Sequence, residues 1–255
     1  MARLFNDTSS QYLSQASNCG ITAEPMTFSC WFMTDDLTID QDLVEIGISG
    51  TSDNRWSLQF AGTVANDPLR AQTRDTTSSN ATITGVTANV WNHGAAVFAA
   101  TNDRRVFLNG TKGTNAVVRA VSSGVNRTQI GARNNASIDL FFSGRIAEVA
   151  IWNVTLTDNE ITVLSNRVSP RFVRPGNLKF YSPLYGVYSL EPDYSGNGRH
   201  MTLNNGPSFV AHSPTQMAFG FDEYSASFSS AVVIPSIDVV SIDDLARTRV
   251  TVIGG

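Results

Sequence analysis

The chain has 255 residues, of which 42% are hydrophobic and 16% are charged, and its formal net charge is −4 at pH 7. This composition excludes an intrinsically disordered chain, and the acidic balance argues against a nucleic-acid binder, which needs a basic face for phosphates. The longest apolar runs, 94–100 and 231–234, are far shorter than the ~20 residues of a membrane-spanning helix. We therefore expect a globular chain without membrane segments, built as one large domain or two small ones.

The amino terminus and the two cysteines indicate the compartment. Residues 1–11 lack the apolar stretch of a secretory signal peptide, so we expect synthesis and folding in a cytoplasm without export. Cys19 and Cys30 do not make the framework of a disulfide-rich domain. Cys30 lies in an apolar strand pattern and is expected to be a small core residue. The sequence thus predicts two free thiols, with a single Cys19–Cys30 bridge as the alternative.

Hydrophobic residues recur with a period of two, which is the period of a β-strand. Alternation of this kind covers 26–32, 56–60 and 91–99. The pair Asn109-Gly110, which follows an apolar run, predicts a tight hairpin because both residues tolerate positive φ. Strand patterns recur at about 10–15 residues through the first 152 residues, and this spacing predicts an all-β fold, an antiparallel jelly-roll β-sandwich.

One short helix interrupts the strand pattern. Thr157 and Glu160 have the spacing of a capping box, in which each side chain satisfies a backbone donor. The helix is expected to run to about residue 166, because Pro170 follows soon after. Beyond the helix, 178–184 and 201–203 predict further strands.

The character of the chain changes from residue 213. The segments 231–235 and 249–253 are β-prone but have no evident partner within the sandwich. Such segments add to their own sheet, pair with another chain or aggregate. We therefore predict a jelly-roll domain over 1–212 and a C-terminal docking or oligomerisation extension over 213–255. The alternative is that the extension wraps the surface of its own domain.

Several segments, taken in order, resemble the strands and small helix of laminin-G-like, concanavalin A-like domains. They are 3–13, 25–32, 91–98, 106–110, 130–132, 142–152 and 156–161. The resemblance covers 3–212 and implies the same jelly-roll sandwich. The stretch 168–184 further resembles a subset of these domains found in phage and prophage genes, usually without an assigned activity.

The resemblance to the phage subset, together with a fold that normally works outside cells, implies a non-enzymatic structural component of a virus particle. A capsid decoration protein and a tail or fibre accessory protein are the two forms expected. Its partners would be other virion proteins, bound through 213–255, and further copies of itself in a homo-oligomer. The expected location is the virion. The alternative is a carbohydrate-binding module that mediates attachment to surface glycans.

Neither a glycosidase nor a hydrolytic triad is evident. Retaining glycosidases need two carboxylates ~5–5.5 Å apart, which alternation along one strand can supply. No glutamate has a second acid two or four residues away on a strand; the six are Glu24, Glu45, Glu148, Glu160, Glu191 and Glu223. A pair assembled from separate strands remains open. No nucleophile elbow accompanies the histidines; His93 is expected to be a hydrogen-bonded sheet residue and His200 to be exposed.

A dense acidic stretch raises the question of calcium, which prefers hard oxygen ligands. Its members are Asp35, Asp36, Asp40, Asp42 and Glu45. Their spacing does not match an EF-hand loop, and a solvated acidic loop is expected. Relatives that bind a structural calcium often carry an aspartate where this chain has Ala147, which implies loss of that ligand. We therefore predict no metal site and no cofactor, with bound calcium as the alternative.

Exposed aromatic side chains would be the stacking platforms of a sugar site. The candidates are Trp31, Trp56, Trp91, Trp152, Tyr12, Tyr185, Tyr188 and Tyr194. Trp91 and Trp152 are expected in the core, whereas Trp31 is either exposed or covered by the extension. The sequence assigns no catalytic residue and no ligand-binding residue.

Overall fold

The computed structural model describes residues 2–212, except 116, 122 and 187. The predicted docking extension, 213–255, lies outside the described residues. The strands are β1 (Ala2–Phe5), β2 (Tyr12–Gln15), β3 (Met26–Thr34), β4 (Asp40–Gly47), β5 (Arg55–Ala61), β6 (Leu69–Arg74), β7 (Ser78–Ile83), β8 (Asn92–Ala100), β9 (Asp103–Leu108), β10 (Thr111–Asn115), β11 (Arg127–Ile130), β12 (Gly144–Trp152), β13 (Leu178–Ser182), β14 (Leu190–Glu191), β15 (Met201–Asn204) and β16 (Ser208–Val210). The helix α1 spans Asp158–Ser165, and 3₁₀ turns span Pro170–Phe172 and Pro175–Asn177.

The strands form two antiparallel sheets. The first has the order β10-β9-β8-β3-β12-β1-β16, with β13 also paired to β12, and the second has the order β14-β15-β2-β11-β4-β5-β6-β7. The predicted all-β antiparallel jelly-roll sandwich is therefore confirmed. Many neighbours in each sheet, such as β3 and β12, are distant along the chain, so the sheets form only when the whole domain folds.

The core lies between the sheets and is built from the alternating apolar positions seen in the sequence. Phe28 and Phe98 meet edge to face with ring centroids 5.4 Å apart. Trp56, Leu58 and Phe60 enter the same core from β5. Because these strands place every second side chain inward, the residues between them point to the opposite face of the sheet.

A bulge in β12 divides one edge of this strand between two partners. Gly144 to Ile146 pair with β1, and Val149 to Trp152 pair with β13. Between these pairings Glu148 adopts a φ of 54°, and the register with β3 shifts. The bulge therefore lets two strands add in succession to one side of β12.

The helix α1 covers part of the outer face of the first sheet. Thr157 and Glu160 form the predicted capping box, and the helix ends at Ser165, within one residue of the expected position. Ile161 and Leu164 pack with Trp152 in a second apolar cluster. The helix thus shields the apolar outer surface of β8 and β12. No helix of the described chain is long and apolar enough to cross a bilayer.

The predicted hairpin is also present. Asn109 and Gly110 have φ values of 50° and 84° and connect β9 to β10. At this side of the sandwich the two sheets are joined by hydrogen bonds, since Asn115 Nδ2 donates to the backbone oxygen of Asn80 at 2.9 Å.

Candidate functional site

The outer face of the second sheet is polar along its central strands. The core positions of β11, β4, β5, β6 and β7 are mostly apolar, and strand alternation turns the intervening residues away from the core. The outward residues are Arg127, Gln129, Asp42, Glu45, Arg55, Ser57, Gln59, Arg70, Gln72, Arg74, Ser78, Asn80 and Thr82. We name this set the polar face.

One row of the polar face crosses the sheet at right angles to the strands. The register places Gln129 beside Glu45, Glu45 beside Ser57, and Ser57 beside Gln72. Gln72 in turn lies beside Asn80. Because neighbouring strands are ~4.8 Å apart, these five residues form a polar track about 19 Å long.

The centre of this track holds buried polar atoms without a hydrogen-bond partner. They are both carboxylate oxygens of Asp42, Oε2 of Glu45, Nε and Nη1 of Arg55, Oγ of Ser57 and both amide atoms of Gln129. Buried polar groups are nearly always hydrogen-bonded, and each unpaired group costs ~1–3 kcal/mol. These atoms can therefore still form hydrogen bonds with a ligand or with ordered water.

Glu45 and Arg55 organise this centre. Glu45 Oε1 accepts a hydrogen bond from the backbone N of Asn134 at 2.9 Å, and Oε2 lies 3.1 Å from Arg55 Nε without hydrogen-bond alignment. Arg55 Nη2 donates to Gln72 Oε1 at 2.6 Å. Burial, with a smaller contribution from Asp42, raises the pKa of Glu45 well above its usual value. Burial likewise raises the pKa of Asp42 to about 7, although Arg55 opposes the shift.

These positions correct two interpretations of the acidic stretch. In β4 the register shifts between Asp42 and Val44, so Asp42 and Glu45 share a face although they are three residues apart. Regular alternation places acids on one face only at spacings of two and four, and this pair departs from that rule because a β-bulge inserts one residue into the strand. The expected solvated loop is also wrong for Asp42 and Glu45, since both are buried in a strand.

The other acids of the stretch are engaged separately. Asp36 Oδ1 accepts hydrogen bonds from Thr38, and Asp40 Oδ1 accepts them from Thr63, while Asp35 is exposed. Across the described residues, no group of three or more histidine, cysteine, aspartate or glutamate side chains is placed to hold a metal ion.

The four tryptophans, all within the described residues, are buried or half-buried. Trp56 and Trp152 lie in the two larger apolar clusters, which confirms the expectation for Trp152. Trp31 is buried against Ala147. The expectation is wrong for Trp91, which is half-buried and packs on the same small cluster rather than in the core. Among the aromatic candidates named from the sequence, an open platform must therefore come from tyrosine rather than tryptophan.

Three of the four candidate tyrosines follow β13, and two of them pack together. The ring centroids of Tyr185 and Tyr194 are 6.0 Å apart, and that of Tyr185 is 5.8 Å from His212. Tyr188 is exposed and lines a pocket with neighbouring residues. The fourth, Tyr12, is half-buried on β2. The sequence identifies these tyrosines as candidates, but it does not predict which of them lie close together, because the fold of the loop determines their positions.

The histidine and cysteine predictions are confirmed. His93 Nε2 lies 2.9 Å from Ser29 Oγ, and burial lowers the pKa of His93 to about 3, so the ring is neutral at physiological pH. Cys19 and Cys30 are buried free thiols. Burial raises the pKa of Cys19 to about 12 and also raises that of Cys30. His200 is exposed, as expected.

The polar face was not predicted as a candidate site from the sequence. Its signal was present, because Ser57 and Gln59 alternate with the apolar residues of β5. Similar polar positions occur on the flanking strands. Only the strand order reveals that they lie side by side.

A family model described as the concanavalin A-like lectin/glucanases superfamily matches residues 7–162. The match covers more than half of the chain and spans β2 to the first turn of α1. The chain belongs to this superfamily.

Three solved structures with the same fold are similar to this chain. A proposed carbohydrate-binding protein from Bacteroides ovatus has a TM-score of 0.59 and 18% identity, over 84% of this chain and 61% of its own. The carbohydrate-binding module CBM40 of the Ruminococcus gnavus IT-sialidase, bound to α2,3-sialyllactose, has a TM-score of 0.52 and 15% identity, over 65% of this chain and 98% of its own. A pentraxin from Limulus polyphemus has a TM-score of 0.51 and 14% identity, over 63% and 78% of the two chains.

These similarities establish the fold. The chain spans only 61% of the length of the Bacteroides ovatus protein that it matches. No curated protein has a sequence significantly similar to this chain.

Proposed function

We propose that this chain is a non-catalytic carbohydrate-binding module whose ligand lies across the polar face. The observation that carries the proposal is the group of buried, unpaired donors and acceptors at the centre of that face. Sugar hydroxyls both donate and accept hydrogen bonds, so a glycan matches a surface that mixes amide, hydroxyl, carboxylate and guanidinium groups. This is the role that the sequence analysis kept as its alternative.

The rim of the polar face is open to such a ligand. Arg70, Arg74 and Asn80 are half-buried, and Thr82 is exposed. Asn80 Oδ1 accepts a hydrogen bond from Gln72 Nε2 at 3.0 Å, which holds this part of the track in place before a ligand arrives. A bound glycan contacts the rim, and ordered water connects it to the buried centre.

Superfamily membership and the carbohydrate-binding proteins among the structural neighbours support this proposal. Two adjacent carboxyl groups are also the equipment of a glycosidase. Here, however, Asp42 and Glu45 are both buried, and Glu45 is held by Asn134 and Arg55. These contacts favour a binding and structural role for the pair over catalysis.

A structural role in a virus particle remains a prediction from the resemblance of 168–184. No feature of the polar face favours it over glycan binding. The two roles are compatible, because a particle protein can display a glycan-binding domain. Docking through 213–255, homo-oligomerisation and virion location likewise remain predictions.

The test is glycan-array binding by the full chain, followed by calorimetric titration of the best ligand. Ser57→Ala removes one buried hydroxyl that has no partner in the protein, so the variant is expected to keep the stability of the wild type. Loss of one hydrogen bond to the water that connects the ligand with the centre, worth ~0.5–1.5 kcal/mol, should weaken binding roughly two- to tenfold. Thr111→Ala, on the exposed edge strand of the first sheet, is the matched control and should bind as the wild type does.

An array without any bound glycan would refute the proposed function. Unchanged affinity in both Ser57→Ala and Gln129→Leu would refute the polar face as the binding surface. Turnover of an array glycan that Glu45→Gln abolishes would refute the non-catalytic assignment.

A further inference from the structure

A pocket lies at the edge of the second sheet, away from the polar track. It has a volume of about 290 Å³ and is lined by Tyr188, Ser189, Leu190, Pro192 and His200. The pocket's strand, β14, lies three places from β11, the nearest strand of the polar face, in the sheet order, which is about 14 Å at ~4.8 Å per strand. The lining residues all follow the segment that matches the superfamily model, 7–162. The pocket is therefore distinct from the polar face.

The wall of the pocket is held by Arg3. Its Nη2 donates to the backbone oxygen of Tyr188 at 2.7 Å, and its Nε donates to Glu191 Oε2 at 2.8 Å. Gly186 has a φ of 71°, and a Cβ there would lie 2.4 Å from Phe209 Cβ, so only glycine permits this path of the loop. The backbone of Tyr188 is thus positioned by the scaffold before a ligand binds.

The opposite wall is equally well defined. Asp193 Oδ2 accepts a hydrogen bond from the backbone N of Arg199, and Asp193 Oδ1 accepts one from that of Ser195. The backbone N of Asp193 donates to His200 Nδ1 at 3.0 Å. Because Nδ1 accepts this bond, the neutral ring carries its proton on Nε2. His200 lines the pocket, and its neutral ring therefore carries an N–H donor on Nε2.

The lining combines an aromatic face, aliphatic contacts and polar groups. Tyr188 and Leu190 are 54% and 44% exposed, a large exposure for apolar side chains that a ligand would reduce. A pyranose ring has an apolar face of C–H groups, which suits the electron-rich face of an aromatic ring, and a rim of hydroxyls. Ser189 and His200 Nε2–H supply hydrogen-bond partners for that rim.

The charge and size of the pocket narrow the ligand further. The one ion pair beneath the wall, Arg3 with Glu191, balances its own charge, so the described lining gives no net attraction for an anionic sugar. Ligand pockets usually measure about 300–1,000 Å³, and 290 Å³ lies at the lower limit, where one sugar ring fits better than a chain.

We propose that this pocket binds a single neutral pyranose residue, such as the terminal sugar of a glycan, stacked on Tyr188 and hydrogen-bonded by His200. This inference rests on the proposed carbohydrate-binding function and adds a second site to it. The polar track then contacts an extended part of a glycan, whereas the pocket selects the sugar at an end.

The test is titration of the full chain with neutral monosaccharides, and NMR chemical shifts measure the binding. The sugars include glucose, galactose, mannose and N-acetylglucosamine. Tyr188→Ala should weaken binding at least tenfold, Tyr188→Phe should remain within about twofold because it keeps the ring, and His200→Ala should weaken binding severalfold. Phe172→Ala, which removes another exposed aromatic side chain, is the matched control and should leave binding unchanged.

The outcomes separate this inference from the proposed function. Equal monosaccharide affinity in Tyr188→Ala and the wild type would overturn the assignment of the pocket as a sugar site. Array binding that Ser57→Ala weakens, without any monosaccharide binding to the wild type, would overturn the pocket and leave the polar face standing. Monosaccharide binding that Tyr188→Ala abolishes and Ser57→Ala leaves unchanged would establish the pocket independently.

Discussion

Arg3 and Glu191 form a buried ion pair that joins the two sheets at one edge of the sandwich, with Arg3 Nε 2.8 Å from Glu191 Oε2. Arg3 belongs to β1 of the first sheet, and Glu191 belongs to β14 of the second. The two remaining guanidinium nitrogens donate to the backbone oxygens of Pro207 and Tyr188. One side chain therefore binds three segments from the end of the domain to its first strand.

Loss of one member of this pair should destabilise the domain strongly. Arg3→Met leaves the buried carboxylate of Glu191 without its cation, and we expect the free energy of unfolding to fall by ~3–5 kcal/mol. Urea titration followed by tryptophan fluorescence measures it. Arg145→Met, at a half-buried position on β12, should cost less than ~1 kcal/mol. Recovery of most of the loss in Arg3→Met/Glu191→Leu would agree with this account, whereas a loss below ~1 kcal/mol in Arg3→Met would contradict it.

The buried carboxyl groups of the polar face should make stability decrease with pH. The pKa of Asp42 is about 7 in the folded chain and ~4 when unfolded. Its contribution is complete below pH ~4 and is lost as the pH rises to about 7, because the unfolded state ionises first. Glu45 acts in the same direction. At ~1.4 kcal/mol per pKa unit and about 2–4 °C per kcal/mol, Tm should fall by at least ~5 °C.

Scanning calorimetry between pH 4 and pH 8 tests this dependence. Asp42→Asn cannot ionise at this position and should flatten the slope. Asp40→Asn removes the same charge from the same strand at a half-buried position. This variant should keep most of the pH dependence of Tm. A wild-type Tm that rises over this range would show that the two carboxyl groups are ionised in the folded chain.

The capping box should contribute measurably to the stability of α1. Thr157 Oγ1 accepts a hydrogen bond from the backbone N of Glu160, and Thr157→Ala is expected to lower the free energy of unfolding by ~1 kcal/mol. Thr162→Ala is the control, because its hydroxyl returns to the backbone oxygen of Asp158 within the helix and adds little. Equal effects of the two changes in urea titration would count against the cap.

The two thiols should be unreactive in the folded protein. Cys19 and Cys30 are buried, and burial raises the pKa of both, so little thiolate is available as the nucleophile. We expect a disulfide reagent to label them only at the rate of unfolding, and to label both at once in denaturant. An introduced thiol at the exposed position Ser9→Cys should react immediately. Rapid labelling of a native thiol in the unmodified chain would contradict the burial.

The secondary structure could be predicted well because its signals are local. The alternation of 26–32 and 56–60, the Asn109-Gly110 hairpin and the capping box at Thr157 each act within a few residues, and each is present as predicted. The prediction for the acidic stretch was wrong for an equally local reason. The bulge at Leu43 has no sequence signature, yet it turns Asp42 to the same face as Glu45.

The candidate sites could be predicted only in part. Tyr188 and His200 were recognised as residue types suited to sugar contact or exposure, but their pocket depends on Arg3, which is 185 residues from Tyr188. Gln129 and Ser57 drew no attention, because a single polar residue in a strand pattern usually faces solvent. They become candidates because their polar atoms are buried without a hydrogen-bond partner. This burial results from the packing of the folded chain.

The sequence by itself determined the strand alternation, the turns, the helix cap and, from these, the jelly-roll class, because backbone preferences and side-chain periodicity act over short distances. The tertiary structure alone decided which strands became neighbours. That order placed Gln129 of β11 beside Glu45 of β4 and brought Arg3 to Glu191, 188 residues away. Contacts between distant segments form only when the entropy of a long chain is overcome by burial of the whole core, so no local pattern encodes them.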